Sequence, residues 1–310
     1  MRLTFGILMS LMVGVAHANT DLAAAIENVR TACGNISAEL SDMKKMAGIT
    51  TAVTGVGTVA GGVALGTGIA KANVDKEIAE LEQQLAKLDV GRNLETITIS
   101  ATNLQNELNQ YQVSIQTLSK SELQEQKSEA EQKSKNLGNI RTGTLATSTV
   151  ANIAGAVMSG TNKVKGDLKQ QIDECLASVK TLSNVRMQAR ISKTATDAAL
   201  ARAENIIRAC DAWTTVDVSS INNRSKGATV SSGIGAGLGL AGTITSASAN
   251  SKDIRNGDDK QREKNLNTAA NVLAGGTTTA SLSATIFNAT QISAIKRAAT
   301  VADECEGALK

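Results

Sequence analysis

Four cysteines, Cys33, Cys175, Cys210 and Cys305, are the residues of this 310-residue chain with the clearest chemistry. No two of them form a CxxC pair, the spacing typical of an all-cysteine zinc site. The first residues of the chain are typical of a secretory signal peptide, and cysteines of exported proteins form disulfides. We therefore predict four disulfide-bonded cysteines and no metal site.

Residues 1–18 are the predicted signal peptide. Arg2 supplies a positive charge, the run from Gly6 to Ala16 is apolar, and Ala16-His17-Ala18 is a small-residue cleavage site. The run is shorter than the roughly 20 apolar residues that span a bilayer, which favours cleavage over an anchor. The sequence thus predicts a bacterial periplasmic or secreted protein, and cleavage removes the only histidine.

The predicted mature chain lacks the residues of several common catalytic sites. Without histidine it cannot form a Ser-His-Asp or Cys-His site. Acidic pairs stand at Asp173-Glu174 and Asp303-Glu304, but adjacent helical residues point apart, so we interpret both pairs as surface charge. The glycines lie within helical segments, unlike those of a phosphate-binding loop. We predict no catalytic residue and no cofactor; a hydrolase that uses carboxylates alone is the exception left open.

The charge balance bears on partners. The chain has 32 basic and 29 acidic residues, and no basic cluster is interleaved with aromatic residues. Proteins that bind nucleic acid depend on such clusters, so we predict no nucleic-acid partner. An unknown protein, or a second copy of this chain, is the expected partner.

The elements that carry these residues are predicted to be helices. The chain contains no proline, a residue excluded from helix interiors but tolerated in most loops. We therefore predict an all-α, elongated up-down-up-down helical bundle. Its long helices contain four blocks rich in Gly, Ala, Ser and Thr, near residues 51–70, 142–162, 227–250 and 266–295.

The order of short motifs indicates an internal duplication. Each half begins with a Glu-Asn motif that leads to a cysteine, Cys33 or Cys210, and each ends on Asp-Glu-Cys, at Cys175 or Cys305. We predict one copy over 19–192 and a second over 193–310, packed as a single bundle.

A helical insertion, residues 73–135, distinguishes the first copy. From Val74 to Leu88 the large apolar residues alternate four and three apart, which predicts a coiled coil. Gly91 suits a helix C-cap, and Ser119 with Glu122 suits a capping box, so three helices are expected there. Thr194 with Asp197 is a similar capping box between the copies.

The cysteines of one copy lie almost equally far from the turn between them, so all four fit one layer of a four-helix bundle. Because each copy begins and ends with a cysteine, we predict Cys33–Cys175 and Cys210–Cys305. Pairing Cys175 with Cys210 and Cys33 with Cys305 fits the same layer and stays open. Trp213 is expected to pack on this layer.

Small residues spaced four apart let a neighbouring helix approach closely, and such spacing is common in membrane helices. Glycine inside a helix costs roughly 1 kcal/mol relative to alanine, so close packing should offset that loss. We predict ten helix-packing glycines: Gly57, Gly61, Gly62, Gly66, Gly155, Gly233, Gly235, Gly237, Gly239 and Gly276.

Two functions are compatible with these blocks. Between Ala228 and Ala249 the large apolar residues are few and mostly four apart, which favours a helix packed on one side in water. The leading hypothesis is therefore an exported, non-enzymatic bundle with a structural or protein-interaction role. The alternative is a membrane-inserting or pore-forming protein with Gly/Ala/Thr-rich transmembrane segments. In composition alone, the blocks resemble those of helical pore-forming and translocator proteins.

Overall fold

The computed structural model describes residues 21–95, 103–251 and 260–310, and the side chains of 88–119 are outside this description. All regular structure in these ranges is helical, so the predicted all-α bundle is confirmed. The predicted signal peptide lies outside the described residues. The helices are α1 (21–33), α2 (Ile36–Glu95), α3 (Asn103–Thr161), α4 (Gly166–Ile191), α5 (Asp197–Asp211), α6 (Val218–Ala249) and α7 (Lys260–Leu309), with a 3-10 turn at Ala212–Thr215.

Four long helices, α2, α3, α6 and α7, contain the four small-residue blocks. The predicted division of the insertion into three helices was wrong. Gly91 lies inside α2, and Ser119 and Glu122 lie inside α3. One glycine costs a helix only about 1 kcal/mol, and the long helices on either side of these local cap signals propagate through them.

Between the predicted copies, α4 and α5 form a helical hairpin, but the N-cap of α5 differs from the one predicted at Thr194. Thr196, not Thr194, is the N-cap of α5 and accepts a hydrogen bond from Ala199 N at 3.2 Å. The Thr194 amide instead donates to Ala189 O at 3.1 Å, which ties this residue to the end of α4. Lys193, in the turn between α4 and α5, has φ 52°, a left-handed backbone conformation typical of a chain reversal.

The described chain divides into two compact units. The first comprises residues up to Thr54 with Ala154–Ser232 and Ser283–Lys310, and the second comprises Gly55–Ile153 with Gly233–Leu282. Both predicted copies contribute residues to each unit, so the units do not correspond to the copies. The duplication stays a prediction.

The first unit has a conventional apolar core. Leu22, Leu40, Leu168 and Ile206 are buried in it together with all four cysteines. Trp213 belongs to the same cluster, as predicted from its place near Cys210. Fully burying each such aliphatic side chain contributes roughly 1.5–3 kcal/mol, so this core is the main source of the unit's stability.

The second unit has smaller apolar clusters and more buried charge. Ala64, Leu145 and Ala274 form one cluster, and Val74, Leu81 and Ala130 form another. Outside the clusters, Glu82 on α2 pairs with Lys260 of α7 and, at 3.1 Å, with Lys127 of α3. The Lys260 ammonium, followed by Lys127, holds the pKa of Glu82 below its ordinary value of 4.5.

Candidate functional site

The disulfides are Cys33–Cys175 and Cys210–Cys305, the pairing predicted within each copy. All four cysteines are buried, and the sulfurs of Cys33, Cys210 and Cys305 lie within 4.8 Å of one another. The two bonds therefore occupy one layer of the first unit and crosslink four helices, α1 to α4 and α5 to α7.

The acidic pairs beside the cysteines have local structural partners. Glu174 accepts a hydrogen bond from Gln170 Nε2 at 2.8 Å within α4. Asp303 accepts from the Ser37 hydroxyl, and Glu306 accepts from the Ser37 amide at 3.1 Å, so α7 satisfies the first turn of α2. Asp303 and Glu306 thus hold the start of α2, whereas the Glu174 contact stays within α4.

The interior of the second unit is polar where its four long helices meet. Asn152 of α3 is fully buried; its Nδ2 donates to Ser281 Oγ of α7 at 2.8 Å, and Ser281 Oγ is 3.0 Å from Asn152 Oδ1. The buried Ser148 hydroxyl donates to Gly57 O of α2 at 2.8 Å. Side chains that a soluble bundle places on its surface thus bridge helices inside this unit.

The first unit has a comparable polar interior beside its apolar core. Ser159 Oγ of α3 donates to Asn288 Oδ1 of α7 at 3.1 Å. Gln291 Nε2 donates to Asn162 O at 2.7 Å, and the Ser225 hydroxyl of α6 donates to Ser159 O. All five side chains are buried.

Two buried cations complete the second unit's interior. Lys71 lies 2.7 Å from Asp75 and 3.4 Å from Glu263. Arg141 is fully buried and donates to Ser246 Oγ at 2.9 Å and to two asparagine side chains, Asn267 and Asn271. Neither Lys71 nor Arg141 was among the predicted site residues; the only sequence signal is that each is a lone basic residue in or beside an otherwise uncharged block.

The outer surface of the same helices is apolar. In the second unit Val59, Val150 and Val272 are 68%, 67% and 70% exposed. Among the side chains that the structure describes in that unit, the other exposed large apolar residues are Val56, Val63, Ile69, Ile140, Ile153, Ile234, Leu240, Ile244 and Leu282. In the first unit the same helices expose Met46, Ile49, Val157, Val230, Ile286 and Phe287.

This distribution overturns one sequence inference. The α6 stripe of Val230, Ile234, Leu238, Leu240 and Ile244 was interpreted as the face packed against the bundle, but four of these five residues are exposed. Only Leu238 is half-buried, next to Gly276 of α7. The buried face of α6 carries Ser232, Gly235, Gly239 and Ser246 instead. The spacing of apolar residues shows that they share one face of a helix, but it does not show whether that face is buried or exposed.

The glycines separate into two groups for the same reason. A Cβ would meet a neighbouring helix within 3.4 Å at Gly57, Gly61, Gly155, Gly235, Gly239 and Gly276, which are close-packed positions. At Gly62, Gly66, Gly233 and Gly237 no described atom lies within 4 Å of an added Cβ, so the prediction that they pack inside the bundle was wrong. These helices carry small residues on both faces.

One helical stretch in the described part of the chain, Asp21–Lys87, is long and apolar enough to cross a membrane. Only 33% of its most apolar window is buried. No other helix in the described part of the chain reaches this length and hydropathy.

Comparison with family models, with curated proteins and with solved structures finds no match to this chain.

Proposed function

We propose that this protein is an exported, non-enzymatic helical protein whose four small-residue helices insert into a membrane, with a structural or interaction role there. The observation that carries the proposal is the reversed distribution of side chains in these helices. Most Val, Ile and Leu residues of the small-residue blocks face outward, with Leu145 a buried exception, whereas Asn, Ser, Thr and two basic residues are buried.

Lipid and water impose opposite demands on such a surface. In water, contiguous exposed apolar residues lose the favourable transfer energy of about 25 cal/mol per Å² that burial would give them. In a bilayer the same residues meet hydrocarbon. Buried polar groups then favour association of the helices because they have no water to bond, as with the paired Asn152 and Ser281.

On two of the four helices, α2 and α3, the apolar surface is nearly as long as the hydrocarbon core of a bilayer is thick. On α2 the exposed Val and Ile residues extend from Ile49 to Ile69, one turn after the exposed Met46, and twenty residues of helix rise about 30 Å, the thickness of the hydrocarbon core. On α3 they extend from Ile140 to Val157, about 26 Å of helix. Four passes of this kind would leave the disulfide-bonded cysteines on the exported side.

A second candidate is the exported soluble bundle favoured by the sequence. The apolar core around Leu40, Leu168 and Trp213, crosslinked by two disulfides, supports an independently folded domain outside a membrane. In that case a partner protein would cover the exposed apolar residues.

Alkaline carbonate extraction separates the two candidates. We expect the wild-type chain, produced with its own signal peptide, to stay with the membrane through the wash and to be released by detergent. Recovery in the aqueous fraction after mild lysis would favour the soluble bundle and refute membrane insertion.

Labelling of two introduced cysteines tests the topology. Met187→Cys on α4 and Gln261→Cys at the start of α7 both replace exposed residues. A membrane-impermeant maleimide should label Met187→Cys in intact spheroplasts and Gln261→Cys only after lysis. Equal labelling of both before lysis would contradict four membrane passes.

A further inference from the structure

We infer that the exported end of the membrane-inserted helices binds anionic lipid headgroups through a basic belt. The inference rests on the proposed insertion and names the lipid class that the surface would select. The belt is defined by six exposed basic residues of the first unit: Lys44, Lys45, Lys165, Lys226, Lys296 and Arg297.

Hydrogen bonds join the four helix segments that carry the belt residues. Gln291 of α7 donates to Asn162 O at the end of α3, and Asn222 Oδ1 of α6 accepts from Val164 N at 2.8 Å. With its amide oriented to satisfy both groups, Asn162 also contacts Met43 O and Ala47 N of α2, at 3.3 and 3.1 Å. Each of these helix segments carries a belt residue within about two turns.

Three belt residues adjoin the apolar surface. Lys44 and Lys45 precede the exposed Met46 on α2, and Lys226 lies one turn before the exposed Val230 on α6. A cation at the end of an apolar helical surface is at the depth of lipid phosphates when that surface is inserted.

The belt has few acidic neighbours. Asp42 pairs with Lys45 at 3.2 Å, and Asp167 lies in the first turn of α4. The sequence from Ser283 to Ala302 contains no acidic residue. Within about two turns of the hydrogen bonds that join the four helix segments, the six belt residues are accompanied by three further basic residues, Lys163, Lys169 and Arg224, and by four acidic ones, Glu39, Asp42, Asp167 and Asp217. Nine basic and four acidic side chains leave five positive charges. This excess is complementary to phosphatidylglycerol or another anionic lipid and offers nothing to a zwitterionic one.

Vesicle co-floatation tests the inference with the mature full-length chain. The probes are vesicles of phosphatidylcholine and vesicles of equimolar phosphatidylcholine and phosphatidylglycerol. We expect half-maximal association at a lipid concentration at least tenfold lower with the anionic vesicles. About 1 M salt should abolish this preference, because the Debye length falls to about 3 Å.

The belt variant replaces Lys44, Lys165, Lys226 and Lys296 with glutamine. Each basic residue near an anionic surface strengthens binding on the order of fivefold, so the variant should lose the preference. A matched control replaces four exposed basic residues of the same unit outside the belt, Lys180, Arg190, Arg202 and Lys310, and should keep it. Disulfide mapping and circular dichroism establish that both variants are folded.

The outcomes distinguish this inference from the proposed function. A wild type that resists carbonate but binds both vesicles equally would overturn the belt and leave insertion standing. A wild type that prefers anionic vesicles yet is released by carbonate would support the belt and refute insertion. Loss of the preference in belt and control variants alike would also overturn the belt, because net charge alone would then explain it.

Discussion

A charge introduced at Val59 should have very different effects on stability if this residue faces lipid and if it faces water. It is 68% exposed on α2, and ten residues separate it from each end of the exposed apolar stretch Ile49–Ile69. At 1.5 Å per residue it lies about 15 Å from either end, at the middle of the hydrocarbon core. A lysine there is too far from either end to extend its ammonium into water.

The expected cost of Val59→Lys in a bilayer is roughly 2.5–3.5 kcal/mol, on the order of a hundredfold in the insertion equilibrium. In water the same change on an exposed position would alter stability by no more than about 0.5 kcal/mol. Ile191 is the matched control, because it is 77% exposed at the end of α4, outside the small-residue helices. Ile191→Lys should be neutral in either environment.

The assay is the fraction of each variant that resists carbonate, with total protein and disulfide formation as controls for folding. We expect wild type and Ile191→Lys to be retained and Val59→Lys to be released or degraded. If the two lysine variants behave alike, the outward apolar residues do not meet lipid and the argument from side-chain distribution fails.

Three further predictions concern stability. A Cβ at Gly61 would lie 2.9 Å from Thr278 Oγ1, whereas one at Gly62 meets no described atom within 4 Å. The free energies of unfolding of Gly61→Ala and Gly62→Ala, measured by thermal melts, should therefore differ by about 1–3 kcal/mol, with Gly62→Ala the more stable. Removing either disulfide, which link residues 142 and 95 apart, should cost roughly 4–5 kcal/mol in the chain-entropy model, measured by denaturant unfolding. Because Lys260 lowers the folded pKa of Glu82, the ion pair stabilises the fold above pH 4.5, and this contribution is lost as pH falls through the folded pKa. Glu82→Gln should therefore weaken the pH dependence of the free energy of unfolding below pH 4.5. An unchanged pH dependence in that range would contradict the ion pair.

Local chemistry explains what could be predicted from the sequence. The absence of proline and the Gly/Ala/Thr-rich blocks indicated long helices, because proline exclusion is a property of every helix interior. The position of cysteines at both ends of each predicted copy identified the disulfide pairs and their common layer. The burial of Trp213 in the cysteine cluster could be predicted because Trp213 lies three residues after Cys210. Each inference depends on distances along the chain.

The environment of each helix face was decided only by tertiary structure. A glycine pair four apart looks the same at Gly235 and Gly239, which are close-packed, as at Gly233 and Gly237, which are open to the outside. The α6 stripe from Val230 to Ile244 was likewise assigned to the wrong side. Helical periodicity gives the angle between side chains about one axis, but burial depends on where three other helices lie. For that reason the buried Asn152 and Arg141, which define the polar interior, were visible only once the helices were packed together.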